Sequence, residues 1–129
     1  MDAILDMVVG EYLYRRYPDM PEGNLTKARA SIVSEEPLAC VCAGFHMGDY
    51  LRLGKGEALT GGRTRNSIMA DAFEAVVGAI YMDSSYSAAR DFILTQLERY
   101  LQLVEKGIYG KDYKTYFQEL LQRDGAQDI

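Results

Sequence analysis

Histidine occurs once in this chain, cysteine twice and proline three times among 129 residues. A disulfide framework needs more cysteines than that, and Cys40 and Cys42 stand two apart, which on a helix turns them to different sides. Both are expected to be reduced thiols, as in a cytoplasmic protein. His46 follows Cys42 by four residues, but a Cys-x-Cys-x-x-x-His zinc half-site would lack a fourth ligand. No apolar run approaches the ~20 residues of a membrane span, and no basic and apolar signal peptide opens the chain, so a soluble, unsecreted protein with no membrane partner is expected. An excess of positive charge is missing as well. Fourteen Lys+Arg against 19 Asp+Glu leave a formal net charge of −5, which argues against gripping polyanions with the whole surface and leaves room for an acidic pocket that holds a cation. Twelve glycines and a 48% hydrophobic, 26% charged composition exclude collagen, coiled-coil and disordered classes. At this length one domain with a packed core is the starting expectation.

What is present is helical periodicity. Over residues 2–17, Ile4, Leu5, Val8, Val9, Tyr12 and Leu13 recur at spacings of three and four and end in Arg15-Arg16. Pro18, Pro21 and Gly23 break that pattern, Asn24 is placed to cap a helix over 25–33, and Ser34-Glu35-Glu36-Pro37 restarts a helix that runs to Gly44. Residues 47–65 are rich in glycine and form a long connection with a short turn inside. Asn66 or Ser67 then caps a helix to about residue 83, and another follows over 86–105. Gly107 and Gly110 set off a final amphipathic helix over 111–122. No strand alternation lasts more than four residues, so the expected fold class is all-α, a compact multi-helix domain. The pattern starts directly after Met1, as though the true start lay upstream.

Residues 66–81 are almost wholly apolar or small, which predicts a buried central helix. Within it Asp71 and Glu74 are three apart, so their Cβ atoms lie about 5–6 Å from each other on one face. Two buried carboxylates cannot both stay charged cheaply, and a metal ion is the simplest remedy. Hard oxygen ligands point to Mg²⁺ or Mn²⁺. The blander alternatives are that Asp71 favours the helix dipole of a helix starting at Ser67, or that the pair forms salt bridges with Arg63 or Arg65. Further oxygens could come from Asp2, Asp6, Glu11 or Glu22, each of which alone reads as a solvated or capping acid. Spacing does not choose among them.

The run Ala70-Asp71-Ala72-Phe73-Glu74-Ala75-Val76-Val77-Gly78-Ala79-Ile80-Tyr81-Met82-Asp83 resembles the second acidic motif of bacterial ribonuclease III. Asp2-Ala3-Ile4-Leu5 with Glu11-Tyr12-Leu13-Tyr14-Arg15-Arg16-Tyr17-Pro18 is similar to the end of that family's signature helix, and Glu22-Gly23-Asn24-Leu25-Thr26-Lys27-Ala28-Arg29-Ala30 to the segment after it. Gly48-Asp49-Tyr50-Leu51-Arg52-Leu53-Gly54-Lys55-Gly56-Glu57 and Gly61-Gly62-Arg63 resemble the family's glycine-rich connection. The resemblance implies that Asp2, Asp71 and Glu74 are metal-binding catalytic residues and that Glu22 lines the cleft where an RNA strand lies. It implies a homodimer whose two centres each cut one strand of double-stranded RNA, leaving 5′-phosphate and 3′-hydroxyl ends with a short 3′ overhang, in the processing of ribosomal and messenger RNA.

Such chemistry needs neither histidine nor cysteine, because divalent ions held by carboxylates supply both the nucleophilic water and the charge for the leaving oxygen. Double-stranded RNA is read mainly through phosphates and 2′-hydroxyls, so low sequence specificity is expected. Lys27, Arg29, Lys55, Arg63 and Arg65 are candidate backbone contacts, each as readily a solvated surface charge. Lys111-Asp112-Tyr113-Lys114-Thr115-Tyr116-Phe117-Gln118-Glu119-Leu120-Leu121 resembles the opening helix of the family's double-stranded-RNA-binding domain. The expected division is therefore a catalytic domain over 1–106, a linker over 107–110 and the start of an RNA-binding domain over 111–129. The family's signature carries a further metal-ligating glutamate four residues before the aspartate matched by Asp2, and here Met1 takes the place of a glycine. Low or absent nuclease activity is expected of these residues by themselves. The alternative is a non-catalytic dimerising or RNA-binding module of the same fold.

Overall fold

The computed structural model describes residues 2–44 and 62–110 and positions 115, 116 and 119; for residue 2 and residues 62–65 this extends to the backbone alone. His46, Lys55, the glycine-rich connection up to residue 61 and most of the expected final helix lie outside the described residues. Among those described, every regular element is a helix: α1 (Asp2–Arg16), α2 (Glu22–Ile32), α3 (Glu35–Gly44), α4 (Gly62–Asp83), α5 (Tyr86–Gln96) and α6 (Glu98–Glu105). The all-helical expectation holds. No helix among the described residues is long and apolar enough to cross a membrane.

α1 follows its periodicity. Leu5, Val8, Val9 and Leu13 form one buried stripe, Arg15 and Arg16 occupy the last turn where cations suit the helix dipole, and Pro18 prevents continuation. α2 starts earlier than expected. Pro21 takes the N-cap position, with φ −58° and ψ 148°, and its carbonyl accepts from the amides of Asn24 and Leu25, both at 3.0 Å. Asn24 is therefore inside the first turn, and its side chain is released for a contact elsewhere. Glu35 and Glu36 sit in the first turn of α3 as expected, after Ser34, whose carbonyl accepts from the Leu38 amide at 3.2 Å.

α4 also begins before Asn66 or Ser67 and runs for 22 residues. It ends at Asp83, where the sequence places its end, and the Ser85 hydroxyl caps α5 by accepting from the Ala88 amide at 3.0 Å. The helix expected over 86–105 is divided at Leu97, where φ −98° and ψ 8° turn the chain. Neither glycine nor proline marks that break. Leu97 is fully buried, and turning there keeps Tyr100, Leu101, Leu103 and Val104 over the core.

α4 packs against α3, α1 and α5; α1 also packs on α2 and α5, and α6 packs against α2 and α5. One hydrophobic cluster draws on all six helices, with Phe73 at 1% exposure stacked on Phe92, ring centroids 5.8 Å apart. Gly107 ends α6 with φ 79°, a left-handed conformation that glycine alone adopts without strain. Its amide bonds Val104 O and the Ile108 amide bonds Leu103 O, both at 2.9 Å, a Schellman cap that consumes two orphan carbonyls and lays Ile108 on the core.

Candidate active site

Met69, Ala70, Phe73, Val77 and Gly78 form the buried face of α4, whereas Asp71, Ala75, Ala79, Tyr81 and Met82 are exposed. This corrects one expectation. The helix is central but not buried all round: its outward face includes Ala75 and Ala79, which look apolar in sequence yet have little surface to hide, beside Asp71, Tyr81 and Met82. Asp71 is exposed and Glu74 half-buried, so they are not two charges sealed in a greasy interior. What remains is their geometry: two carboxylates one turn apart on an open face.

That face borders two hollows. A cleft of about 230 Å³ between α3 and α4 is lined by Ser34, Glu35 and Leu38 from one side and by Ser67, Ala70, Asp71 and Glu74 from the other. A shallow groove of about 560 Å³ continues along α4, lined by Asp71, Glu74, Ala75, Gly78, Ala79 and Met82. Asp71 and Glu74 belong to both. Glu35 joins them on the first cleft, a neighbour that sequence reading missed because its place in the first turn of α3 already accounted for an acid. Only the packing of α3 on α4 brings it there, and no spacing along the chain signals that.

Asp2 opens α1, a helix that packs on α4, and its side chain lies outside the described residues. Arg63 and Arg65 belong to the first turn of α4, again with the backbone alone described. Glu22 is exposed at the start of α2, and Lys27 is exposed further along it. The structure thus brings Asp71 and Glu74 together, and Glu22 and Lys27 onto a different helix. Among the described residues no three histidine, cysteine or acidic side chains converge on one point. The donors on the α4 face are carboxylate and hydroxyl oxygens, a set that fits a hard divalent ion with water in its shell and would suit a thiophilic one poorly. Cys42 is buried, and burial pushes its thiol pKa up, so it remains a protonated core residue; Cys40 is exposed on the other side of α3, as its spacing predicts.

Residues 1–101 match the model of the ribonuclease-III-like family. The chain belongs to the ribonuclease III family. Ribonuclease 3 of Symbiobacterium thermophilum is 48% identical over 125 residues, which take in 97% of this chain and 53% of that protein. Ribonuclease 3 of Desulforamulus reducens is 48% identical over 128 residues, 99% of this chain and 52% of the relative. The chain spans about half the length of these curated ribonuclease 3 relatives. Among solved structures, the nuclease domain of ribonuclease III from Campylobacter jejuni is similar at a TM-score of 0.70 and 37% identity, over 76% of this chain and 68% of that one. That ribonuclease III domain is described as structurally flexible in the region involved in dimer formation.

Proposed function

We propose that this chain carries the catalytic domain of an endoribonuclease that hydrolyses phosphodiester bonds of double-stranded RNA, with Asp2, Asp71 and Glu74 holding a divalent ion. The observation that carries the reading is the pair Asp71 and Glu74, side by side on the open face of α4 beside the α3–α4 cleft, in a chain of this family. Exposure suits the role, since a duplex is far too wide to enter a closed pocket and its backbone must reach the carboxylates from outside. Mg²⁺ is the proposed ion and Mn²⁺ its substitute. When bound, it would supply an activated water and positive charge at the leaving oxygen.

The chain's own residues do the rest. Asp71 and Glu74 set the position of the ion on a rigid helix whose opposite face is locked into the core by Phe73 and Val77. Glu22 lines the RNA strand, and Lys27, Arg63 and Arg65 contact phosphates. The products are 5′-phosphate and 3′-hydroxyl ends, the assembly is a homodimer, and the setting is RNA processing in the cytoplasm. Residues 1–106 form the catalytic part, 107–110 the linker and 111–129 the start of an RNA-binding domain. Residues 1–129 on their own cut weakly or not at all, because they offer three of the four carboxylates that the resemblance calls for.

Cleavage of long double-stranded RNA in Mg²⁺, compared with EDTA, tests this on the chain extended with a relative's glutamate-bearing signature helix. Metal-dependent cutting that falls at least about a hundredfold in Asp71→Asn is expected. Since Asp71 is exposed, that variant should keep its folding stability to within about 0.5 kcal/mol. Silence of the extended chain would favour the non-catalytic module of the same fold, and brisk metal-dependent cutting by residues 1–129 alone would refute their impairment.

A further inference from the structure

The segment after α6 does not leave the helical body freely. After the Schellman cap, Ile108 and Tyr109 lie half-buried against the core, and so does Tyr116 further along. The Gly110 amide donates to the Ser31 hydroxyl oxygen at 2.8 Å, and the side-chain amide of Asn24 donates to the Tyr109 hydroxyl at 3.3 Å. Both partners sit on α2, nearly eighty residues or more away in sequence. Ser31 is held in place for this contact, since its own hydroxyl donates to Lys27 O at 2.9 Å and so keeps a lone pair turned outward. Gly110 has φ 74°, which glycine adopts without strain and which lets its amide face α2.

From this arrangement we propose that α2 carries a latch, Ser31 and Asn24, that clamps Tyr109 and Gly110 and thereby fixes where the rest of the chain departs. Asn24 is available because α2 starts at Glu22, which leaves Asn24 inside the first turn rather than at the N-cap. Two hydrogen bonds and partial apolar burial are a small sum, so the latch is closed at rest but opens at a far lower free-energy cost than the core beneath it. In the closed form the chain leaves from the helix that begins with Glu22; in the open form residues 107–110 become a flexible tether. The latch is independent of the catalytic reading, which only gives it a consequence: whatever follows Gly110 would be presented to RNA from one side of α2.

Amide hydrogen exchange of the 129-residue chain, read residue by residue by NMR, tests the latch without any nuclease assay. In the wild type the Gly110 amide should be protected. In Ser31→Ala it should exchange roughly tenfold faster while Leu101 and Val104 keep their rates, and Ser31→Thr, which retains the hydroxyl, should stay protected. Tyr109→Phe removes the acceptor for Asn24 and should loosen Gly110 in the same direction with α2 untouched. A Gly110 amide that exchanges like a free peptide in the wild type, or that ignores both Ser31→Ala and Tyr109→Phe, would overturn the proposal. An inactive nuclease with a protected Gly110 would leave the latch standing and reject only the catalytic reading.

Discussion

Phe73 separates Asp71 from Glu74 in sequence and holds them in space. Its ring is stacked on Phe92 and almost fully enclosed, so Phe73→Ala should cost about 3–5 kcal/mol and lower the melting temperature by roughly 10 °C or more. A thermal melt by circular dichroism checks this, and a fall of only a degree or two would mean that the site has no rigid floor. Cys42 offers a second residue-level test. Its raised thiol pKa means that the unfolded chain loses the proton first, so the stabilisation is complete below the ordinary thiol value near ~8.5 and is lost as pH rises through the higher folded value. Stability should fall between about pH 8 and 10 more steeply in the wild type than in Cys42→Ala, ahead of the similar contributions from Tyr17 and Tyr86 near ~10. Thiol titration should label Cys40 at once and Cys42 only on unfolding. The opposite orientations of these two cysteines were legible from their spacing. The exposure of Asp71 was not, because Ala75 and Ala79 read as core and turn out to pave an outer face.

Elements were legible where a side chain or proline punctuates them. Ser85 caps α5 as its position suggests, and Ser85→Ala should cost about 1 kcal/mol in chemical denaturation. Where packing alone decides, the sequence is mute: Leu97 breaks α5 from α6 in a run of good helix formers. At α2 two signals compete, and the helix starts at Glu22, directly after Pro21, rather than after Asn24. Gly10 is the complementary case, a glycine in mid-helix with no visible need to be one. A methyl group there would meet only the Arg29 side chain, at 3.6 Å, an ordinary contact. Gly10→Ala should therefore stabilise the fold by about 0.5–1 kcal/mol through the unfolded chain's lost freedom, and a destabilisation in the same melt would mean that α2 sits closer to α1 than described.

The molecule leaves large apolar side chains outside: Met82 is 81% exposed, and Met7 and Tyr14 stand clear of α1. Such surface in a small helical domain suits a partner face. If the homodimer proposal holds, sedimentation at tens of micromolar should give twice the mass of one chain, drifting to a single chain on dilution. A constant monomer mass would reject it. The fold as a whole was readable because its helices are short-range objects; the cleft was not, since it exists only where α3 meets α4.

The wrapping of α1 by α4 and α5 has an effect before the protein is finished. During synthesis Leu5, Val8, Val9 and Leu13 are made well before α4 and α5, the helices that complete their burial, and until then only α2 packs on α1 to shield part of the stripe. During those seconds the oily stripe of the nascent chain is a target for trigger-type chaperones and for neighbouring nascent chains. Slowing translation just after α3 should raise aggregation, and slowing it after α5 should not.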